Sequence, residues 1–483
     1  MSSNNKIILM LKKDTNNDKD IVYRKKIIND EEIYIVYDES LTGSNTISDF
    51  IIRSLDSIEY KYQEIDDLYT RVLNDINNFK VTKIKDYKDV CYYLHNGFTI
   101  LIFDDDKYIA LESKKNLTRG ITEPSVETTL RGAMDSFVEE IQTNIGLVKR
   151  RIKSNDLWSI SNDVGKYTKT KTTILYINGV CKKDKVEYVN NLIKDIDIDG
   201  IVSSGNIKNL IEKENKSVFP TILTTQRPDR AAKALLDGKI VIIVDGSPYC
   251  LILPALLNDF FLNSEDMYGK SINVSFTRFV RYLAFFIAVL TPSVYIAITT
   301  YNQELLPTDL LISFASQRES VPFPAFFEAI IMIFSFEILR ESDLRIPSFS
   351  SSALSIVGAL ILGEAAVNAG IVSPIMIIVV SITTISALPF SEPEIINGIR
   401  WWRLIFMISG TCLGLVGVTL NFIIFIIKLS NLESFSIPYL TPFAPTYIEG
   451  IKNSIIKSPL KILNRRKKYL SNNLRKEAKW KRY

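Results

Sequence analysis

The chain has 483 residues, 47% of them hydrophobic and 23% charged, and carries a net charge of only +4 at pH 7. That length allows two or three domains, and so near a balance of charge argues against nucleic acid as a partner of the whole chain. One histidine, His95, and four cysteines without a CxxC pair leave little room for histidine-dependent catalysis, a zinc site or a disulfide framework.

Charge and hydrophobicity are segregated along the chain. Residues 1–277 mix the two, 278–428 hold the long apolar runs, and 452–483 contain twelve Lys/Arg and one acid, Glu477. Residues 1–30 read as a polar tail whose apolar run of five residues is shorter than a secretory signal needs. The first domain is therefore expected in the cytoplasm. His95 ends a helical pattern before Asn96-Gly97 and reads as a helix C-terminal residue.

Two stretches align without a gap at a spacing of 141 residues, "NGFTILIFDDDKYIAL" (96–111) and "DGKIVIIVDGSPYCLI" (237–252). In each, a glycine ends a helical segment, as a left-handed cap requires. An apolar β-branched run follows, then an aspartate turn (Asp104 or Asp245) and a second strand. The repeat predicts two related α/β subdomains, 31–155 and 156–277, with the same hairpin in each. Between the two stretches, Phe137, Ile141, Ile145 and Val148 lie at helical spacing over 136–152. Its Lys149-Arg150-Arg151 end reads as a solvated face that complements the helix dipole. No phosphate loop is present, and Asp104–Asp106 read as a solvated hairpin tip rather than a metal site.

The apolar segments are 282–301, 323–340, 353–371, 375–390 and 404–428. A helical span needs about 20 residues, which predicts four spans within 278–430. The segment 323–340 contains Glu328, Glu337 and Arg340 and reads as an interfacial or re-entrant helix. There Glu337 and Arg340 can pair at i,i+3. The tail, 431–483, is placed in the cytoplasm beside anionic lipid by its positive charge. On this reading Arg340, Arg345, Arg400 and Arg403 would face outward, against that rule. Glu364 is the one charge from Ile346 to Ser391, and Val357, Ile361, Glu364 and Asn368 share a helical stripe. Intramembrane carboxylates usually face a bundle interior or a water-filled cavity. The stripe is thus a candidate pore lining, with interhelical packing as the alternative. The fold class expected is α+β/membrane: a cytoplasmic domain of two α/β subdomains, an α-helical transmembrane domain and a basic tail.

"PFPAFFEAIIMIFSFEILRESDLRIP" and "SIVGALILGEAAVNAGIVSPIMIIVV", with "EPSVETTLRGAMDSFVEEIQTNIGLVKRRI" upstream, resemble the A subunit of GerA-type spore germination receptors over about residues 31–450. Glu364 departs from the uncharged polar residue of many members. An enzyme is not expected, since the sequence holds no catalytic cluster and its intramembrane acids lack a paired His or Asp, and no cofactor is expected. The resemblance implies a receptor in the spore inner membrane, acting with a nutrient-binding B subunit and a lipoprotein C subunit. It also implies that A subunits form a ring, taken as a pentamer, that conducts cations when nutrient appears. A non-conducting scaffold or signalling subunit is the alternative.

Overall fold

The computed structural model describes residues 3–28, 31–56, 65–76, 80–84, 86–104, 106–115, 127, 129, 132–212, 217–343, 363–459, 466–471 and 473. It divides into two units, one formed by 1–213, 222–255 and 460–483, the other by 214–221 and 256–459.

The first unit holds two five-stranded antiparallel sheets. In chain order the first is built from α1 (Ser3–Asp14), β1 (Ile21–Ile28), β2 (Glu31–Asp38), a helical stretch α2 (44–56), α3 (Ile65–Asp75), β3 (Val81–Ile84), α4 (Tyr87–Leu94), β4 (Phe98–Asp104) and β5 (Lys107–Glu112). After the linker helix α5 (Ile141–Lys149), the second runs β6 (Leu157–Val164), β7 (Thr170–Ile177), α6 (Lys183–Lys194), α7 (Ser204–Ile211), β8 (Leu223–Thr225), α8 (Pro228–Leu236), β9 (Ile240–Val244) and β10 (Cys250–Leu253). The strand orders are β1-β2-β4-β5-β3 and β6-β7-β9-β10-β8. These are the same topology, so the repeat seen in two hairpins extends to the whole subdomain. Gly97 and Gly238 take positive φ, 79° and 92°, as caps before β4 and β9.

The first hairpin pairs Leu101 with Ile109 and shifts register between Ile102 and Asp104. The second pairs Leu251 with Ile242 without such a shift. A one-residue bulge is therefore what separates two stretches that align without a gap.

Both faces of the first sheet are covered, which explains its unbroken apolar strands. Ile100 and Ile102 pack with Leu11 of α1 and Leu94 of α4. Leu101 and Phe103 pack with Ile51 of α2 and Val72 of α3. Residues 1–30 are not the polar tail that their composition suggests. Within them α1 covers a sheet face, and β1 pairs along its whole length with β2. β1 is an edge strand with a half-exposed middle, so polar residues are tolerated there.

The second unit is helical: α9 (Ser271–Thr300), α10 (Thr308–Arg318), α11 (Ala325–Asp343), a helical end at 363–368, α12 (Pro374–Ile385) and α13 (Pro393–Asn431). A short β11–β12 hairpin (Glu433–Ser434 and Ile437–Pro438) and α14 (Ile448–Ile455) follow. Among the described residues, α9 and α13 are long and apolar enough to cross a membrane.

The segment read as one span at 404–428 is two helices. Gly414 has φ 62° and ψ −146°, and the chain folds back on itself there. Trp402 and Phe425 have ring centroids 4.7 Å apart, and Phe406 and Phe425 6.0 Å. In a straight helix 23 residues rise about 35 Å. The glycines permit the close turn. A Cβ on Gly410 would sit 2.9 Å from the Ser293 carbonyl oxygen, and one on Gly414 2.9 Å from Tyr301 Cβ. The apolar composition of 404–428 hid this break, because both arms are apolar.

Candidate functional site

Of the candidate pore stripe, Val357 and Ile361 lie outside the described residues. Glu364 and Asn368 are exposed, as are Ala365 and Ala369, while Gly363 is buried. Ala366 and Val367 pack against a core of Tyr295, Ala325, Ala329, Met332, Val372, Met376, Val380 and Met407. The helix therefore has one packed face, and a polar pair at i,i+4 on another.

Glu328, near the start of α11, is fully buried. Its carboxylate accepts from the Ser373 amide and hydroxyl, both at 2.9 Å, and Arg318 Nε stands 3.4 Å away. Ser373 is the N-cap of α12, so this carboxylate sits where a helix N-terminus favours negative charge. It ties α10, α11 and α12 together. The spacing of residue types had shown only an acid in an apolar segment.

Glu337 does not use Arg340 as its ion partner. It pairs with Arg400 of α13 at 2.7 Å, because α11 packs beside α13 and both side chains reach the same groove. Arg340 is half-buried nearby. Nor does α11 have the surface of an interfacial helix. Phe327, Ile331, Phe334 and Ile338 are exposed along its 19 residues, an apolar stripe with no polar side opposite it at the same length.

At the start of α9, Asp266 gathers cations. Arg278 Nε lies at 3.1 Å, and Arg281 bonds it twice, at 2.7 and 2.9 Å. Lys457 donates to the carbonyls of Asp266, Met267 and Gly269.

In the first unit, the Lys149 expected on a solvated face is buried. Its ammonium lies 2.8 Å from Asp38, 3.0 Å from Asp18 and 3.8 Å from Asp20. Burial would pull the lysine down, but the three aspartates outweigh it and hold it charged. Burial likewise pushes Asp18 up, and Lys149 with the Ser159 hydroxyl brings it below its usual value. Asp20, less well served, is raised by burial. The cluster joins β2, α5 and, through the 2.6 Å bond from Ser159 to Asp18, the second sheet. Nothing local in "VKRRI" separates Lys149 from its neighbours, and the acids that claim it are over 100 residues away. His95 follows α4 as expected; burial, then Lys149, hold it below the usual histidine value.

Arg227 is a second buried cation. It bonds Asp229 and the carbonyls of Glu127 and Ala133, and so pins the linker that precedes α5. Cys91, Cys181 and Cys250 are buried thiols, and Cys412 is exposed. Ser471 pairs with Cys181, and its hydroxyl donates to the Val180 carbonyl at 2.6 Å. The tail thus returns to the second subdomain.

The profile of a family described as "Bacillus/Clostridium GerA spore germination protein" matches residues 9–469. The chain belongs to the GerA family of spore germination proteins. Spore germination protein KA of Bacillus subtilis (strain 168) is 38% identical over 94% of this chain and 84% of that one. Spore germination protein A1 of the same organism is 32% identical over 94% and 93%. The N-terminal domain of the A subunit of the Bacillus megaterium spore germinant receptor GerK3 is 31% identical, with a TM-score of 0.40 over 52% of this chain and 94% of that one. The family match begins at residue 9, inside α1, in keeping with a folded N-terminal segment. The two-subdomain α/β part and the helical part are thus both parts of a GerA-family chain.

Proposed function

We propose that this chain is the A subunit of a nutrient-sensing receptor of the spore inner membrane, working with B and C subunits. Its copies form a ring of five, and the ring conducts cations when nutrient is sensed. The observation that carries this reading is the exposure of Glu364 and Asn368 on the face of an apolar helix that is not packed. A ring of such carboxylates would attract cations and exclude anions. Ile361 and Val357 would lie one and two turns earlier on that stripe and form the constriction.

The fold-back at Gly414 supports six membrane crossings in place of four with an interfacial helix: α9, α11, the 353–371 segment, α12 with its extension to 390, and the two arms of α13. An even number keeps both chain ends on one side, and the pairing of Ser471 with Cys181 supports that side being the cytoplasm, with the α/β unit.

The test is cation flux from liposomes holding the purified receptor. Nutrient should open it. Glu364→Gln should assemble normally and conduct less, while Ile361→Ala should leak without nutrient. Flux absent throughout, or both variants conducting as the parent does, would leave a scaffold whose Glu364 makes interhelical contacts.

A further inference from the structure

A groove of about 190 Å³ runs between α11 and the first arm of α13. Ile330, Ile333, Phe334, Leu404 and Met407 form its apolar length, and Glu337, Arg400 and Arg403 its polar end. Phe334 and Leu404 are exposed, so the groove opens on the outer surface of this helical unit.

The polar end is short of negative charge. Arg400 and Arg403 line it with Glu337, two guanidiniums to one carboxylate. Arg403 is buried and donates Nε to the Ala288 carbonyl at 2.9 Å. Arg400 donates to Glu337 and Asn397, and its Nε is buried without a hydrogen-bond partner. A guanidinium nitrogen buried without a partner beside an apolar slot is costly unless an acceptor joins it. A phosphodiester offers two charged oxygens in the geometry a guanidinium fork prefers.

Direction fits as well. Glu337 lies nine residues from Glu328 along α11, about 14 Å. The groove runs from the arginines through Ile333 to Ile330, toward the Glu328 end. In the topology proposed above, the arginines stand at the cytoplasmic end of the groove and the apolar length points away from that side. A lipid of the inner leaflet has this order of head and tail, and basic pockets between helices on this side attract anionic headgroups.

We infer that this groove binds an anionic phospholipid of the cytoplasmic leaflet, its phosphodiester on Arg400 beside Arg403 and one acyl chain along Ile333, Phe334 and Leu404. The inference rests on the helices being embedded in a membrane, which resistance to alkaline extraction tests separately.

The experiment uses the full chain in mild detergent with equal phosphatidylglycerol and phosphatidylcholine, and counts retained lipid by native mass spectrometry. Phosphatidylglycerol should be retained at least tenfold over phosphatidylcholine. Arg400→Gln should lose that preference. Leu404→Trp, which fills the slot at a lipid-facing position and alters no charge, should lower retention by a similar factor. A benzoylphenylalanine placed at Phe334 should capture lipid. Equal retention of the two lipids, unchanged retention in both variants, or capture of a second copy of the chain at 334 would each overturn the inference, the last by making the groove a subunit interface.

Discussion

Lys149→Met tests the buried charge cluster most directly. The substitution keeps the length of the side chain and removes its charge. Asp18 and Asp38 would lose ammonium contacts of 3.0 and 2.8 Å. The cation left within reach, Lys171, is 3.7 Å from Asp20 and partly exposed. Breaking a buried pair costs about 3–5 kcal/mol, a large part of the roughly 5–15 kcal/mol that holds a domain folded. Hydrogen exchange of the β1 and β2 amides, in the full chain, should speed up by about 100- to 3,000-fold relative to the parent at the same pH. The pH dependence has a definite sign. In the parent, the lowered Asp18 contributes stability above about pH 3.9 that is lost only on acidification below it. In the variant, buried aspartates without their cation have folded pKa values above the unfolded one. Their penalty is present at pH 7 and relieved as pH falls through those values. The two proteins should therefore converge between about pH 7 and pH 5. A deficit under about 1 kcal/mol, or one that does not change over that range, would refute the assignment of Lys149 as the cluster's counterion.

Other predictions follow from single sites. Gly414→Ala should cost about 1–3 kcal/mol through its disallowed backbone, with further loss from the Tyr301 contact, read as a lower melting temperature in detergent. Glu328→Gln should weaken the Ser373 cap by about 1.5–3 kcal/mol, seen as faster exchange of the amides at 373–377. An unchanged exchange rate there would remove Glu328 from its role as the cap of α12. Lys185 has a buried Nζ without a hydrogen-bond partner, and burial pulls its pKa down to about 8. The unfolded chain holds that proton up to about pH 10.4, so stability of α6 should rise from pH 8 to pH 10, and Lys185→Met should abolish the rise. Cys412 should react with a membrane-impermeant maleimide added from outside, since the proposed hairpin brings it to the outer surface. Failure to react would return 404–428 to the membrane interior.

The parts of this fold legible in the sequence are those where one residue type settles a local conformation. Gly97 and Gly238 announced helix ends, and "TILIF" and "IVIIV" announced β-branched strands, so the repeat could be read from two hairpins. Lys149 and Glu337 were misassigned for a common reason. Each has a plausible partner or solvent nearby in sequence, and the fold supplies a better one from far away: Asp38 in one case, Arg400 in the other. The hairpin of α13 was missed because hydropathy does not distinguish one long apolar helix from two folded together. The signal was there in Gly410, Gly414 and Gly417, which clear space for the second arm against the first. Glu364 and Asn368 could be placed on one exposed face, while Val357 and Ile361 fall outside the described residues.

The proposed six-crossing topology would also remove a conflict between charge and the positive-inside rule. With a single span over 404–428 and an interfacial 323–340, Arg340, Arg400 and Arg403 would face outward, against the positive-inside rule. With α11 as a crossing and α13 as two, the arginines fall on the same side as Arg278, Arg281 and Lys428. The internal geometry of the helical unit agrees. Gly414 meets Tyr301 and Asn302 at the far end of α9, Glu328 and Ser373 stand with Arg318 near that end, and Arg403 reaches Ala288 in the middle of α9. Phe390 and Phe425 meet Phe285 at the midpoint of α9, one turn nearer its start than Ala288, and Phe390 also meets Phe261, which precedes α9. Read along this axis, the acids and bases sort into two levels. The outer level, Glu328 with Arg318, is neutral as a pair. The inner level holds Glu337 with Arg340, Arg400 and Arg403. On the topology proposed above, this sorting would set the arginine end of the groove toward the cytoplasmic side, where the positive-inside rule expects it.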